Sequence, residues 1–143
     1  MKAGQLRGTG TWRHSEVTDP TTRQKREISG LRPVEWEAHF TPDIPRYRLT
    51  WGVDGFGPWR ETYYRFNSIE TRKLKTWVDL FAEWKPKPDT SIRLEWDNIG
   101  KRGFRNTFTQ YRGPRDTAPI DYIQNRYPKF GQEIFFRVRK TFG

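Results

Sequence analysis

Apolar and polar residues alternate along the last segment of the chain, Phe130 to Gly143. One face of this extended segment is apolar and is formed by Ile134, Phe136, Val138 and Phe142. The opposite face is mainly polar and is formed by Glu133, Phe135, Arg137, Arg139 and Thr141. A period of two with faces of unlike polarity predicts a strand between two different environments, either as the edge of a soluble sheet or in a membrane barrel. Lys140 interrupts the apolar face close to the chain end, where its long stem can reach water.

Five further segments show the same alternation and are predicted as strands. They are Leu6 to about Val17, Arg32 to Thr41, Arg46 to Asp54, Arg72 to Lys85 and Ile92 to Asp97. Trp77 and Phe81 stand among the polar positions of the fourth strand.

The connections between the predicted strands alternate in length. Two are short and rich in proline, Thr41 to Pro45 and Lys85 to Asp89, and three are long, Thr18 to Gly30, Gly55 to Thr71 and Asn98 to Pro128. The predicted fold is therefore all-β, an antiparallel meander of about six strands with long loops at one end and short turns at the other. Transmembrane barrels have this asymmetry, so the meander is predicted to be an open segment of a larger transmembrane β-barrel. We expect the two short turns and Phe142 to lie together.

Composition agrees with a barrel better than with a disordered chain. Hydrophobic residues make up only 33%, whereas aromatic residues reach 16% with Trp 7, Tyr 6 and Phe 10. The mean hydropathy is -1.02. Disordered chains are poor in aromatic residues, whereas barrel strands are half polar and carry aromatic girdles at both interfaces.

The net charge of +10 raises an alternative function. The alternative is that the chain is a soluble, basic β protein rich in aromatic residues that binds single-stranded nucleic acid. Such binding stacks the bases on aromatic rings beside Lys and Arg. In this chain, however, acidic residues are interleaved with the basic ones throughout, and carboxylates repel phosphates. Nucleic acid is therefore not the expected partner.

Catalytic and metal-binding patterns are not evident. His14 and His39 lie on different predicted strands, and Glu35 and Glu37 share a polar face without a third group that would make them an acid/base pair. The chain has no cysteine. We find no nucleophile beside a base, no glycine-rich phosphate loop and no metal motif, so the sequence predicts neither an enzyme nor a cofactor.

The sequence resembles the carboxy-terminal part of TonB-dependent outer-membrane receptors over essentially its whole length. The resemblance is carried by RLEWDNIGKRGF (Arg93 to Phe104), by the terminal FFRVRKTFG, and by VTDPTTRQKREISGLRP with the Trp-rich strands. The family typically ends on Phe, whereas here Gly143 follows Phe142 and Lys140 replaces an apolar residue.

Membership would imply a barrel of about 22 strands with a plugged lumen, which takes up a ferric siderophore, cobalamin or a saccharide in a Gram-negative bacterium. Residues 1–143 would be its last six strands, without a plug domain, TonB box or signal peptide, and not competent for transport alone. The implied location is the cell outer membrane. The implied partners are outer-membrane lipid, the rest of the barrel and the plug, the TonB complex through that plug, and the barrel-assembly machinery through the carboxy-terminal strand.

Two groups of site residues follow from the division of faces. The predicted lipid-facing or girdle residues are Trp36, Phe40, Tyr47, Trp51, Trp84, Trp96, Phe136 and Phe142. The predicted lumen-facing charges are Glu35, Glu37, Arg48, Lys75, Asp79, Glu83, Arg93, Glu95, Arg137 and Arg139.

Overall fold

The computed structural model describes residues 4–142, and this range is built from β-strands without an α-helix. In chain order the strands are β1 (Gln5–Trp12), β2 (Val17–Thr18), β3 (Lys25–Arg26), β4 (Val34–Thr41), β5 (Asp43–Ile44), β6 (Leu49–Phe56), β7 (Trp59–Tyr64), β8 (Ser68–Leu74), β9 (Trp77–Lys87), β10 (Thr90–Asp97), β11 (Phe104–Tyr111), β12 (Ile120–Arg126) and β13 (Glu133–Lys140). Every pairing between them is antiparallel. The predicted all-β antiparallel class is confirmed.

A large sheet contains the strands that the alternating segments predicted. Its order is β1-β4-β6-β9-β10-β13, with the short β5 paired beside β6. Because each strand pairs with the next predicted strand along the chain, this sheet is an antiparallel meander. It is open: within the described residues, β1 pairs only with β4 and β13 only with β10.

A small sheet of order β12-β11-β8-β7 occupies two of the predicted long loops. The prediction of loops over Gly55 to Thr71 and Asn98 to Pro128 was therefore wrong, and about six strands was too few. The chain passes between the two sheets four times. It does so where β6 leads into β7, β8 into β9, β10 into β11 and β12 into β13. Each of these pairs is a long strand with a break, so the small sheet prolongs the large one at the end with the long connections.

Asn98 holds the break between β10 and β11. Its side chain is 1% exposed, and its Nδ2 lies 2.9 Å from the carbonyl oxygen of Arg102 and 3.1 Å from those of Phe130 and Gly131. Its Oδ1 accepts a hydrogen bond of 2.7 Å from the amide of Arg102. One side chain thus joins the exit of β10 to the segment that enters β13.

The two short turns and the end of the chain lie together at the opposite end of the large sheet. The amide of Lys85 donates to the carbonyl oxygen of Arg48 at 2.9 Å, and the amide of Thr141 donates to that of Asp89 at 2.9 Å. The expectation that both turns and the region of Phe142 lie together is confirmed.

A small hairpin, β2 with β3, forms around the predicted long connection from Thr18 to Gly30. Asp19 is 1% exposed and anchors this hairpin. Its carboxylate accepts hydrogen bonds from Arg26 at 2.5 Å and from Arg115, in the loop between β11 and β12, at 2.6 Å. The hairpin is therefore tied to the small sheet.

The chain does not enclose an ordinary hydrophobic core. Among the described residues Leu74 is the one hydrophobic side chain that is buried. The solvent-accessible surface is 10464 Å², whereas a compact monomer of 17.2 kDa exposes about 7,800 Å². The excess surface is that of a single-layered sheet whose two faces are both open.

Candidate membrane interface of the large sheet

One face of the large sheet is apolar across all six long strands. A single ladder row contains one apolar residue from each strand: Leu6, Phe40, Val53, Leu80, Trp96 and Ile134. Rows on either side of it contain only apolar residues and glycine until Thr90 and Lys140, which pair with each other beside a short turn. We call this surface the apolar face.

The apolar face is open rather than packed against another layer. Phe136 is 68% exposed and Ile134 is 66% exposed. Their ladder partners on this face, Leu94 and Trp96, are apolar as well. Continuous exposed apolar surface of this extent marks an interaction with lipid or with another protein.

Tryptophans lie toward both ends of the apolar face. Trp51 and Trp84 are near the short turns, whereas Trp36 and Trp96 are near the ends of their strands that lead to the long connections. Two bands, one toward each end, match the aromatic girdles of barrels.

Six predicted girdle residues lie on the apolar face, namely Trp36, Phe40, Trp51, Trp84, Trp96 and Phe136. Tyr47 does not, because Pro45 begins a 3-10 turn over Pro45–Tyr47 and strand pairing resumes only at Leu49. Phe142 follows the end of β13 and has no ladder partner among the described residues, which corrects its predicted place.

The opposite face, which we call the polar face, is crossed by ion pairs. Arg93 contacts Glu95 through its Nε and lies 3.7 Å from Glu83, and Glu83 lies 3.6 Å from the Nζ of Lys85. His39 on β4 also forms a hydrogen bond with Asp54 on β6, with 2.7 Å between Nδ1 and Oδ1. Cross-strand pairs of opposite charge stabilise neighbouring strands.

Phe81 lies on the polar face because a glycine and an arginine accommodate its ring. A Cβ at Gly52, its ladder partner on β6, would stand 2.4 Å from Cε1 of Phe81. On the other side, the guanidinium of Arg93 lies 4.1 Å from the ring centroid, a cation–π contact. The break in alternation that the sequence shows at Phe81 is thus satisfied locally.

Eight predicted lumen charges share the polar face, namely Glu35, Glu37, Asp79, Glu83, Arg93, Glu95, Arg137 and Arg139. The other two lie outside the paired strands. Arg48 lies at the end of the 3-10 turn with a φ of 52°, and it donates to the carbonyl oxygen of Pro86 at 2.8 Å. Lys75 falls in the two-residue break between β8 and β9, where pairing passes from one sheet to the other.

Arg137 and Arg139, on β13, have no carboxylate within 4.0 Å among the described residues, and Arg137 stands opposite Arg93 in the ladder. Like charges directly opposite each other destabilise a strand pair. The free edge of β13 therefore presents two cations to whatever lies beside it.

Where the two sheets meet, a buried ion-pair network begins that the sequence analysis missed. Arg32 contacts Glu35 on the polar face at 3.1 Å and Glu61 on β7 at 2.9 Å, and Glu61 is only 5% exposed. Burial alone would lower the pKa of Arg32, but the two carboxylates outweigh it and raise that pKa. The network includes Arg72, which reaches both Glu61 and Glu70.

Glu70 is nearly buried in the small sheet and remains ionised. Burial has the largest effect and would raise the pKa of Glu70, but hydrogen bonds from Arg72 at 2.9 Å and Asn106 at 3.0 Å, with the charge of Arg65, lower it overall. The alternation in Ser68–Leu74 was the available signal for this strand.

Two other kinds of site are not found in residues 4–142. No group of three or more His, Cys, Asp or Glu side chains is placed to hold a metal ion there. No helix in this range is both long enough and apolar enough to cross a membrane.

Comparison with known proteins finds no matching protein-family model, no matching curated protein and no matching solved structure. The function is therefore argued from the residues of this chain.

Proposed function

We propose that this chain is the carboxy-terminal β-barrel part of a TonB-dependent outer-membrane receptor, which takes up a nutrient such as a ferric siderophore, cobalamin or a saccharide. The carrying observation is the large sheet itself, with its open apolar face and its ion-paired polar face. In this proposal the apolar face contacts outer-membrane lipid and the polar face lines the lumen. Lipid then covers the apolar surface that water would otherwise contact.

The stagger of the strands supports a barrel. Leu6 and Ile134 occupy one ladder row, and each is the second residue of its strand, although β1 and β13 run in opposite directions. The row therefore crosses the sheet obliquely, shifting by about one residue per strand. A shift of about 3.3 Å over a spacing of about 4.8 Å corresponds to a tilt of about 35°, within the range that closed barrels require.

The open edges argue against transport by these strands alone. An unpaired N–H or C=O group costs several kcal/mol in hydrocarbon, so a membrane sheet must close. We propose that further strands of the receptor pair with β1 and β13 and place carboxylates beside Arg137 and Arg139. The plug and, through it, the TonB complex would belong to that whole receptor, and the terminal strand would be the segment that the barrel-assembly machinery recognises.

The nucleic-acid alternative receives less support. Base stacking on a sheet needs aromatic rings and cations on the same face. Within residues 4–142, the cations on the apolar face are confined to the row of Lys87, Thr90 and Lys140 beside a short turn. On the polar face, Lys85 and Arg93 already contact carboxylates.

Site-directed labelling tests the orientation that the receptor function requires. The chain has no cysteine, so a single introduced thiol is the only reactive one in it. Two variants each carry one cysteine. Asp116→Cys changes the exposed loop between β11 and β12, and Asp89→Cys changes the exposed turn between β9 and β10. In the protein expressed with its export signal in a Gram-negative host, we expect a membrane-impermeant maleimide to label intact cells at position 116 and to label position 89 only after lysis.

Both variants are also labelled after denaturation, which controls for expression and thiol oxidation. Recovery of the protein in the soluble fraction, or equal labelling of both positions on intact cells, would contradict the proposal.

A further inference from the structure

A basic cavity lies where the large sheet meets the small sheet. Its volume is about 760 Å³, within the range of small-molecule sites. Of its sixteen lining residues, seven are Lys or Arg and none is Asp or Glu. The others include Val34 and Tyr127, which are 51% and 57% exposed, and three prolines, Pro33, Pro58 and Pro128.

Three of the cations stand in one ladder row across the small sheet. Lys73 on β8 is directly opposite Arg60 on β7 and Arg105 on β11. Like charges in opposite positions destabilise a sheet. Among the described residues none of the three has a carboxylate within 4.0 Å, in contrast to nearby Glu61 and Glu70, which each contact two arginines.

Four more cations reach the same cavity from the breaks between the sheets. Lys75 comes from the break between β8 and β9, Lys101 and Arg102 from that between β10 and β11, and Lys129 from that between β12 and β13. All four are exposed, and none has a carboxylate partner in the described part of the chain. The positive charge converges from separate segments on one concave, partly apolar space.

We propose that this cavity binds a phosphorylated amphiphile. Phosphate is favoured over a simple anion because it offers several acceptor oxygens to several Lys and Arg donors. An amphiphile is favoured over a bare phosphate because Val34, Tyr127 and three prolines also line the cavity. The row of Arg60, Lys73 and Arg105 contacts the phosphate. Val34 and Tyr127 contact the apolar part, and the guanidinium of Arg105 lies 5.2 Å from the centroid of the Tyr127 ring.

The cavity adjoins the apolar face, because Val34, the β4 residue on that face next to the small sheet, is among its lining residues. A lipid headgroup and a soluble phosphorylated ligand share the required chemistry, and both can enter there. The proposal does not depend on the receptor function.

Binding is tested by titration calorimetry of the full protein in dodecyl maltoside, in which both membrane and water-soluble proteins stay dispersed. The probes are dihexanoyl phosphatidic acid, dihexanoyl phosphatidylcholine and inorganic phosphate. We expect phosphatidic acid to bind at least about tenfold more tightly than either of the other two. Equal affinity for inorganic phosphate and phosphatidic acid would assign the cavity to a soluble anion and overturn the amphiphile.

The double variant Lys73→Gln/Arg105→Gln should weaken phosphatidic acid binding by about tenfold or more. The matched control, Lys87→Gln/Arg46→Gln, removes two exposed positive charges outside the cavity and should change affinity by less than about twofold. An equal loss in both variants would show a response to net charge and overturn the site.

A second double variant of the cavity, Lys101→Gln/Lys129→Gln, controls for misfolding, because both residues lie outside the strands. It should also weaken phosphatidic acid binding. Unchanged affinity in both cavity pairs, each with a near-UV circular dichroism spectrum like that of the parent, would refute the proposal. So would an oligothymidylate that binds more tightly than phosphatidic acid and displaces it.

Discussion

At the scale of single residues, Asn98 has the most demanding position. It is buried, its φ is 53°, and its side chain bonds to three separate residues across the break between β10 and β11. Asn adopts the left-handed region more readily than other non-glycine residues. It is therefore suited to this position both by conformation and by its paired donor and acceptor.

We expect Asn98→Ala to lower the free energy of unfolding by about 3 kcal/mol, because buried carbonyls lose their donor and Ala tolerates a positive φ poorly. Asn98→Gly also removes the side chain, but glycine adopts a positive φ readily. The Gly variant should therefore be about 1 kcal/mol more stable than the Ala variant. Urea unfolding of the purified protein measures both. A stability of Asn98→Ala equal to that of the parent would show that the side chain does not hold the break.

At the scale of elements, one buried carboxylate joins the β2–β3 hairpin to the loop between β11 and β12 of the small sheet. Asp19 accepts hydrogen bonds from Arg26 and Arg115 and from the amides of Thr21 and Thr22 at 2.8 and 3.0 Å. Burial would raise the pKa of Asp19, but these hydrogen bonds together outweigh burial and hold it well below its usual range. The ionised form is therefore the one that the folded hairpin favours.

A depressed pKa in the folded state determines the direction of the pH dependence. The stabilising contribution of Asp19 is fully present above the unfolded pKa of about 3.9 and is lost as the pH falls through the folded value. We expect amide hydrogen exchange at Thr21 and Thr22, after correction for intrinsic rates, to lose protection in acid.

Asp19→Asn is the comparison, since it keeps the shape but not the charge. It should show weak protection of the same amides at neutral pH and little further change in acid. Parallel pH profiles for the two proteins would mean that Asp19 is not the titrating group.

At the scale of the whole molecule, the large sheet has one apolar face and one polar face, and it encloses little hydrophobic core. Gly8 and Thr9, adjacent residues of β1, lie on opposite faces and pair with Ala38 and Glu37. A Cβ added at Gly8 meets only the carbonyl oxygen of Glu37, at 3.7 Å, an ordinary contact. The two positions allow a charge to be placed on either face of one strand.

If the apolar face contacts lipid as proposed, we expect Gly8→Arg to destabilise the protein in phospholipid vesicles by about 2–4 kcal/mol, the cost of Arg in the middle of a bilayer. Thr9→Arg, which faces Glu37, should change stability by less than about 0.5 kcal/mol. Denaturant unfolding in vesicles gives both values. If Gly8→Arg proves as mild as Thr9→Arg, the apolar face is in contact with water and not with lipid.

The alternation of side chains alone was enough to predict the large sheet. A period of two is a local property of each strand, and proline-rich turns such as Lys85 to Asp89 join neighbours directly, so strand order followed from chain order. The assignment of Trp36, Phe136 and Glu83 to their faces needed nothing beyond that period.

Tertiary structure alone decided where pairing passes from one sheet to the other. Lys75 is in phase with its strand in the sequence, yet it lies at a break because β8 and β9 have partners in different sheets. Asp19 and Arg115 are 96 residues apart, and the cations of the cavity come from segments that no periodicity connects. Such contacts depend on how distant strands align, which local alternation does not encode.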